Sequence, residues 1–238
     1  MRIVTVCDHS FMPGLLEQGD LILDCGANRG EFSRWCSQNW TNPVLAFEAD
    51  PRLFPNLPVL ENVTFIERAV AAFEGVMGFT LACHRCSSGV LKIPDMDESV
   101  EVPTVTLDSF VAARWPQAVI GLMKLDIEGS EIDVLRDISP DFLRRVRQIT
   151  VEFHDFLDPA LTPSVREVSA RLQRLGFYLV RFSYYTWGDC LFINQNLNPL
   201  TLRQRFMLQA YYRYWRGVRR HIQRGISRIL RRLFGSSV

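Results

Sequence analysis

Residues 21 to 35 read LILDCGANRGEFSRW: an apolar run that ends on an aspartate, a turn with two glycines, and then the start of an amphipathic stretch. The run has the length and character of a buried strand, and EFSRWCSQ has the pattern of a helix. Residues 24 to 30 therefore form a strand-to-helix turn of the nucleotide-binding type. Glycine there allows a tight turn and close approach to bare backbone, and the helix amino terminus adds free N–H groups. The next apolar run, VLAFE, closes on Glu48, 18 residues after Gly30, where a carboxylate can take both ribose hydroxyls.

The turn departs from the dinucleotide fingerprint. G-x-G-x-x-G would require glycine at 28, and the chain has Asn28. A pyrophosphate demands close backbone approach at that position, whereas a ligand with a ribose and no phosphate does not. S-adenosylmethionine, with a sulfonium cation and an amino-acid tail, is such a ligand. The turn is also found as plain scaffold in α/β proteins that bind no nucleotide.

Outward from this stretch, apolar runs alternate with helix-like segments. The runs are DLILD (20 to 24), PVLAFE (43 to 48), VTFIE (63 to 67), VIGLMKLD (119 to 126), QITVEF (148 to 153), FYLVRF (177 to 182) and CLFIN (190 to 194). Helices are expected near 30 to 39, 51 to 60, 107 to 114, 130 to 137 and 163 to 175. This alternation predicts an α/β fold with a largely parallel sheet and helices on both faces. VMGFTLAC and SVEVPTVTL predict an additional hairpin or loop region between the third and fourth main strands. At 238 residues and 47% hydrophobic content, one large core is expected over residues 1 to 198, with an appendage at 199 to 238.

Ligands in open α/β sheets sit at the carboxyl ends of the strands, so polar residues there matter most. GLMKLDIEGSEIDVLRD places Asp126 at a strand end, followed by Glu128 and a helix from about Ser130. ITVEFHDF places Glu152 and His154 at the next strand end. Residues two apart in a strand share a face, about 6.5 Å from each other, so both can reach one cleft. Methyl transfer to oxygen requires a base for the hydroxyl proton, and His154 is the candidate, with Glu128 or Glu152 orienting or replacing it. Glu128 and Glu131 could equally serve only to charge a helix amino terminus. A metal held by Asp126, Glu152 and His154 is chemically allowed but not expected. The pair in CHRC (83 to 86) is at most half a zinc site. The six cysteines read as reduced thiols of a cytoplasmic protein, and no run of 18 apolar residues is present.

The blocks LILDCGANRGEFS, AFEADP, VEVPTVTLDSF, LMKLDIEGSEIDVLRD and ITVEFH together resemble the FkbM-type methyltransferases. The resemblance covers roughly residues 21 to 194, and KLDIEGSEIDVL is its most specific part. It implies a class I methyltransferase (Rossmann-like) fold, S-adenosyl-L-methionine as cofactor, and O-methylation of saccharides or related metabolites. By position it implies cofactor contacts from Asp24, Gly26, Ala27, Asn28 and Gly30, ribose binding by Glu48, an adenine wall at Ala69, and Asp126 near the methyl end. Ser87 and Ser88 resemble a serine pair that faces substrate. ERAVAAFEG lacks the Gly-Asp often seen at that point in the family.

The remainder of the chain differs in charge. No acidic residue follows Asp189, and ten arginines lie between 203 and 232; residues 1 to 189 hold 17 basic and 26 acidic residues, a balance of −9. A capping box at Thr201 and Gln204 and an apolar stripe from Met207 through Tyr211, Tyr214, Val218, Ile222, Ile226, Ile229 and Leu233 predict a basic amphipathic helix. Through residues 201 to 234 it would contact an anionic membrane surface, or the acidic body of its own or a second subunit; nucleic acid comes third, for lack of a recognised module. The expected function is an S-adenosylmethionine-dependent O-methyltransferase on a glycan or small-molecule acceptor. The alternative is a catalytically silent binding module whose helix acts as a membrane or partner adaptor.

Overall fold

The computed structural model describes residues 2–81, 99–183 and 186–212. A main seven-stranded sheet is built from β3 (Leu21–Cys25), β4 (Val44–Glu48), β5 (Val63–Glu67), β9 (Ile120–Leu125), β10 (Gln148–Val151), β11 (Phe177–Arg181) and β12 (Cys190–Asn194). These are the seven runs predicted as strands. Their order is β11-β12-β10-β9-β3-β4-β5. β12 runs antiparallel to both neighbours, and the other pairs are parallel. Numbered by first appearance in the chain, the order is 3-2-1-4-5-7-6 with the seventh strand reversed, which is the class I methyltransferase sheet.

Alternation along each strand sends side chains to two cores. Leu21, Leu23, Cys25, Met123, Leu125, Ile149 and Val151 face α2 (Leu107–Arg114), α3 (Glu131–Asp137), α4 (Pro140–Arg144) and α5 (Thr162–Arg174). Ile22, Leu122, Leu191 and Ile193 face the opposite way. There they meet Phe32 and Cys36 of α1 (Glu31–Asn39), and Phe11 of a hairpin formed by β1 (Val4–Val6) and β2 (His9–Phe11). Both faces are thus covered, and strands buried on both sides read as unbroken apolar runs.

The expected extra hairpin is present as a small sheet of β6 (Ala69–Val70), β7 (Gly75–Thr80) and β8 (Ser99–Val105), in the order β6-β8-β7. The helix expected at 51 to 60 does not form; turns and one short 3-10 turn at Phe54–Asn56 take its place. Pro51, Pro55 and Pro58 account for this, because each removes an amide donor and disfavours helical geometry in the residue before it. The terminal segment starts as predicted. Thr201 and Gln204 form a reciprocal capping box on α6 (Leu202–Phe206), which widens into a π-helical turn at Met207–Tyr212. The rest of the predicted basic helix, the CHRC pair and Ser87 and Ser88 lie outside the described residues. The described cysteines Cys7, Cys25, Cys36 and Cys190 are free thiols. Among the described residues, no helix is long and apolar enough to cross a membrane.

Candidate active site

The strand order reverses between β3 and β9, and a cavity of about 720 Å³ opens at their carboxyl ends. Of the residues predicted to hold a cofactor, Gly26, Asn28, Glu48, Ala69 and Asp126 line it, as does the predicted catalytic Glu128. Asp24, Ala27 and Gly30 do not; they stand behind the wall and shape it.

The glycines serve packing within the protein more than contact with a ligand. Gly26 has φ +84°, and a methyl group built on it would overlap the backbone carbonyl of Asp126. Gly30, at φ +77°, is the N-cap of α1 and rests against Pro58 and Phe65. The expectation of open backbone N–H groups also needs correction. The amides of Gly26 and Ala27 both donate to the Phe47 carbonyl, at 3.0 and 2.8 Å, and Gly30 donates to the Ala27 carbonyl at 2.8 Å. Asn28, held at φ +51°, donates its amide to Glu48 Oε2 at 2.6 Å. Four amides of the turn, those of Gly26, Ala27, Asn28 and Gly30, thus donate within the protein.

Glu48 is fixed from both sides. Its second oxygen accepts the amide of Asp50 at 2.7 Å. Burial pushes its carboxyl up from the ordinary glutamate range, and the hydrogen bonds from Asp50 and Asn28 oppose that rise. Each oxygen keeps a lone pair free for a ligand hydroxyl. Asp50 in turn holds the guanidinium of Arg52 through both carboxylate oxygens, at 3.0 and 2.7 Å.

Lys124 carries no role in the sequence reading, yet it organises the floor of the site. It projects from β9 in register with Asp24 of β3. Its buried ammonium lies 3.1 Å from Asp24 Oδ1 and 3.7 Å from Asp126 Oδ2, and it donates to the Gly26 carbonyl at 2.6 Å. Burial alone would lower its pKa, but Asp24 and Asp126 outweigh burial and hold it above the ordinary lysine value. Asp24 also accepts from the Ser33 hydroxyl at 2.6 Å. Asp126 sits in a buried position that would raise its pKa, but Lys124 and His9 hold it well below the usual carboxylate range. His9, at the start of β2, is 1% exposed, with Nε2 3.2 Å from Asp126 Oδ2. It too is absent from the sequence reading.

Of the predicted catalytic residues, Glu128 lines the cavity and His154 and Glu152 do not. His154 Nε2 is 2.9 Å from Glu128 Oε2, and its Nδ1 is 3.2 Å from Glu131 Oε1, an ion-pair contact without hydrogen-bond alignment. Glu131 also accepts from the amides of Ile127 and Gly129 at 2.9 and 3.1 Å, which fixes the loop carrying Glu128 at φ +52°. Glu131 therefore does more than charge a helix end. Burial would lower the pKa of His154, but Glu128 and Glu131 override it and push the imidazole up to about 11. At neutral pH the ring is an imidazolium with no lone pair. Glu152 has no hydrogen-bond or ion-pair partner among the described residues. Burial and the nearby Asp126 push it up to about 7. Ligand atoms of His9, Asp126 and Glu152, and of Asp126, Glu131 and His154, lie within 4.8 Å of one another, close enough to hold a metal ion. Asp126, common to both groups, already has Lys124 and His9 as partners.

Residues 24–179 match the family model described as the methyltransferase FkbM domain. The chain belongs to this family. A curated relative, the 31-O-demethyl-FK506 methyltransferase FkbM of Streptomyces tacrolimicus, is 39% identical over 89 residues, covering 37% of this chain and 32% of that protein. The chain thus aligns with about a third of that relative's length. Among solved structures, the precorrin-6y C5,15-methyltransferase of Geobacter metallireducens GS-15 is similar at 12% identity and a TM-score of 0.39, over 75% of this chain and 82% of that one.

Proposed function

We propose that this FkbM-family protein transfers the methyl group of S-adenosylmethionine to a hydroxyl of a saccharide or related metabolite. The observation that carries the reading is the pairing of a satisfied glycine turn with a fixed, cavity-facing Glu48. Such a site offers a ribose a carboxylate held in place. The cavity volume falls within the range of cofactor pockets, and its lining sets Glu31, Glu48, Asp50, Asp126 and Glu128 against Arg29, Arg52, Arg68 and Lys124, with Arg52 paired to Asp50 and Lys124 to Asp24 and Asp126. Glu48 would bind the ribose, Gly26, Asn28 and Asp126 would hold the methionine end, and Ala69 would pack beside the adenine. S-adenosylmethionine supplies an electrophilic methyl group on a positively charged sulfur.

The chain's own contribution is to orient the acceptor and remove its proton. Held as an imidazolium, His154 positions Glu128 and cannot itself take that proton. Glu152 is the better base: it is without a partner among the described residues, beside Asp126, and titrates near neutral pH. This transfers to Glu152 the role that the sequence suggests for His154.

Calorimetric titration of the full chain tests the reading. S-adenosylmethionine should bind in the micromolar range and NAD should not. Glu48→Ala should weaken the former by about 1.5–3 kcal/mol, as expected for hydrogen bonds to a charged group. Equal affinity in a folded Glu48→Ala protein, or preference for NAD, would overturn it.

A further inference from the structure

One side chain that reaches the site comes from outside the segment matching the family model, which begins at residue 24. His9 opens β2, directly after a two-residue turn in which Cys7 and Asp8 hold φ +46° and +63°, the left-handed geometry that tight hairpins require. Cys7 thereby joins the cavity wall, while His9 is buried. The hairpin is fastened to the body around it. The Ser10 hydroxyl donates to Asp189 Oδ2 at 2.8 Å, and Met12 and Gln148 exchange two hydrogen bonds, at 2.9 and 3.0 Å. Phe11 packs edge-on against Phe32, Trp35 and Trp40, and the His9 ring itself stands edge-on to Phe32. His9 is therefore held by packing and lacks the freedom of a surface side chain.

What His9 holds is Asp126. Its Nε2 is 3.2 Å from Asp126 Oδ2, the single side-chain hydrogen bond to this carboxylate among the described residues; Lys124, at 3.7 Å, adds charge without one. Against burial, which would raise it, Lys124 and His9 keep the carboxyl below its usual range, so the group is ionised and Nε2 is the donor. Asp126 Oδ1 is 4.0 Å from His154 Nε2, beyond hydrogen-bond reach, and Asp126 lines the cavity. One oxygen is thus anchored and the other is left to a ligand. Glu152 stands close by: a ring nitrogen of His9 and carboxylate oxygens of Asp126 and Glu152 lie within 4.8 Å of one another. Two carboxylates at such a distance compete for a donor. The His9 N–H goes to Asp126, which leaves Glu152 without a partner among the described residues.

We propose that His9 is a positioning residue for methyl transfer: it anchors one oxygen of Asp126 so that the other receives the ammonium at the methionine end of the cofactor. The inference rests on the S-adenosylmethionine site proposed above. Calorimetry of the full chain tests it with two ligands, S-adenosylmethionine and adenosine, which has the ribose and adenine but no methionine end. His9→Leu, which lacks the donor, should weaken S-adenosylmethionine binding at least about tenfold and leave adenosine within about twofold of the parent, as expected for one lost hydrogen bond to a charged group. His9→Gln, whose amide N–H spans the same distance, should recover most of the lost affinity. A mere packing defect would weaken both ligands and would not be repaired by glutamine. If His9→Leu does not fold, His9→Ala removes the donor with less bulk and carries the same expectation. Unchanged S-adenosylmethionine affinity in the variant without the donor, an equal loss for adenosine, or a glutamine variant as weak as the leucine one would overturn the inference and leave the cofactor site standing. A parent chain that does not bind S-adenosylmethionine would overturn the site, and this inference with it.

Discussion

Replacing Lys124 with methionine keeps the length of the buried stem and deletes the charge, which isolates what the ammonium does. In the native site it stands 3.1 Å from Asp24 and 3.7 Å from Asp126, and burial at Asp126 would otherwise raise that carboxyl's pKa. Breaking a buried ion pair by removing one partner costs about 3–5 kcal/mol, because the other charge is left without compensation. Set against a typical domain stability of about 5–15 kcal/mol, that loss is large. The pH dependence separates charge from packing. With Lys124 present, the Asp126 pKa lies below its unfolded value, so its contribution is present above that value and fades only as pH falls through the folded pKa. Without Lys124, Asp126 would bind its proton more readily folded than unfolded, so Lys124→Met should be more stable near pH 5 than near pH 7. Urea unfolding at the two pH values reads this directly, and adding Asp24→Asn should recover part of the loss near pH 7. A loss below about 1 kcal/mol, or an equal loss at both pH values, would refute the view that this ammonium holds the Asp126 carboxylate ionised.

Three further outcomes are expected. Glu152→Gln should lower kcat by about 10²–10⁴-fold, and it should remove the rise in rate through about pH 7 that a base of that pKa imposes, while S-adenosylmethionine affinity is unchanged in calorimetry. Gly26→Ala should lower stability by about 2–5 kcal/mol in urea melts, combining a left-handed backbone with overlap against the Asp126 carbonyl. Gly14→Ala, with nothing near its Cβ, should stay within about 0.5 kcal/mol of the parent in the same assay.

The main sheet was legible because its central strands are buried on both faces. VLAFE and CLFIN form as written, since a mainly apolar run of this length is satisfied by a sheet covered on both sides, while VTFIE makes the less buried strand at the sheet's edge. The helix expected at 51 to 60 failed where local chemistry overruled the rhythm of the fold, at three prolines. The β1–β2 hairpin was not legible, because strands of three residues carry too little periodicity to register. His9 was lost with it: its partner Asp126 lies 117 residues away, and no local pattern encodes that distance. Lys124 had left a signal. A lysine inside VIGLMKLD, with leucine and aspartate following it, is a charge in a strand that the rest of the run requires to be buried. Such a charge must have a partner. Asp24 holds the matching place in the neighbouring run, so the pair could have been inferred once β3 and β9 were set side by side.

The same parity argument explains why the site forms on the face that it does. Asp24, Lys124 and Thr150 occupy one row across β3, β9 and β10, and the side chains two residues further along the same face are Asp126 and Glu152. One sheet face therefore carries the buried charges and, at its carboxyl edge, Asp126 and Glu152. The covering on that face is the β1–β2 hairpin and α1, whose Phe11 and Phe32 meet the apolar residues in the row behind. The opposite face, packed by α2, α3, α4 and α5, is apolar throughout its core and supplies rigidity. Glu131 bridges the two: it starts α3 on the apolar side, yet its carboxylate holds the loop of Glu128 and lies against His154. The acid-rich edge is thereby fastened to the packed layer beneath it, so the positions of Glu128 and His154 depend on α3 docking as much as on the strands that end beside them.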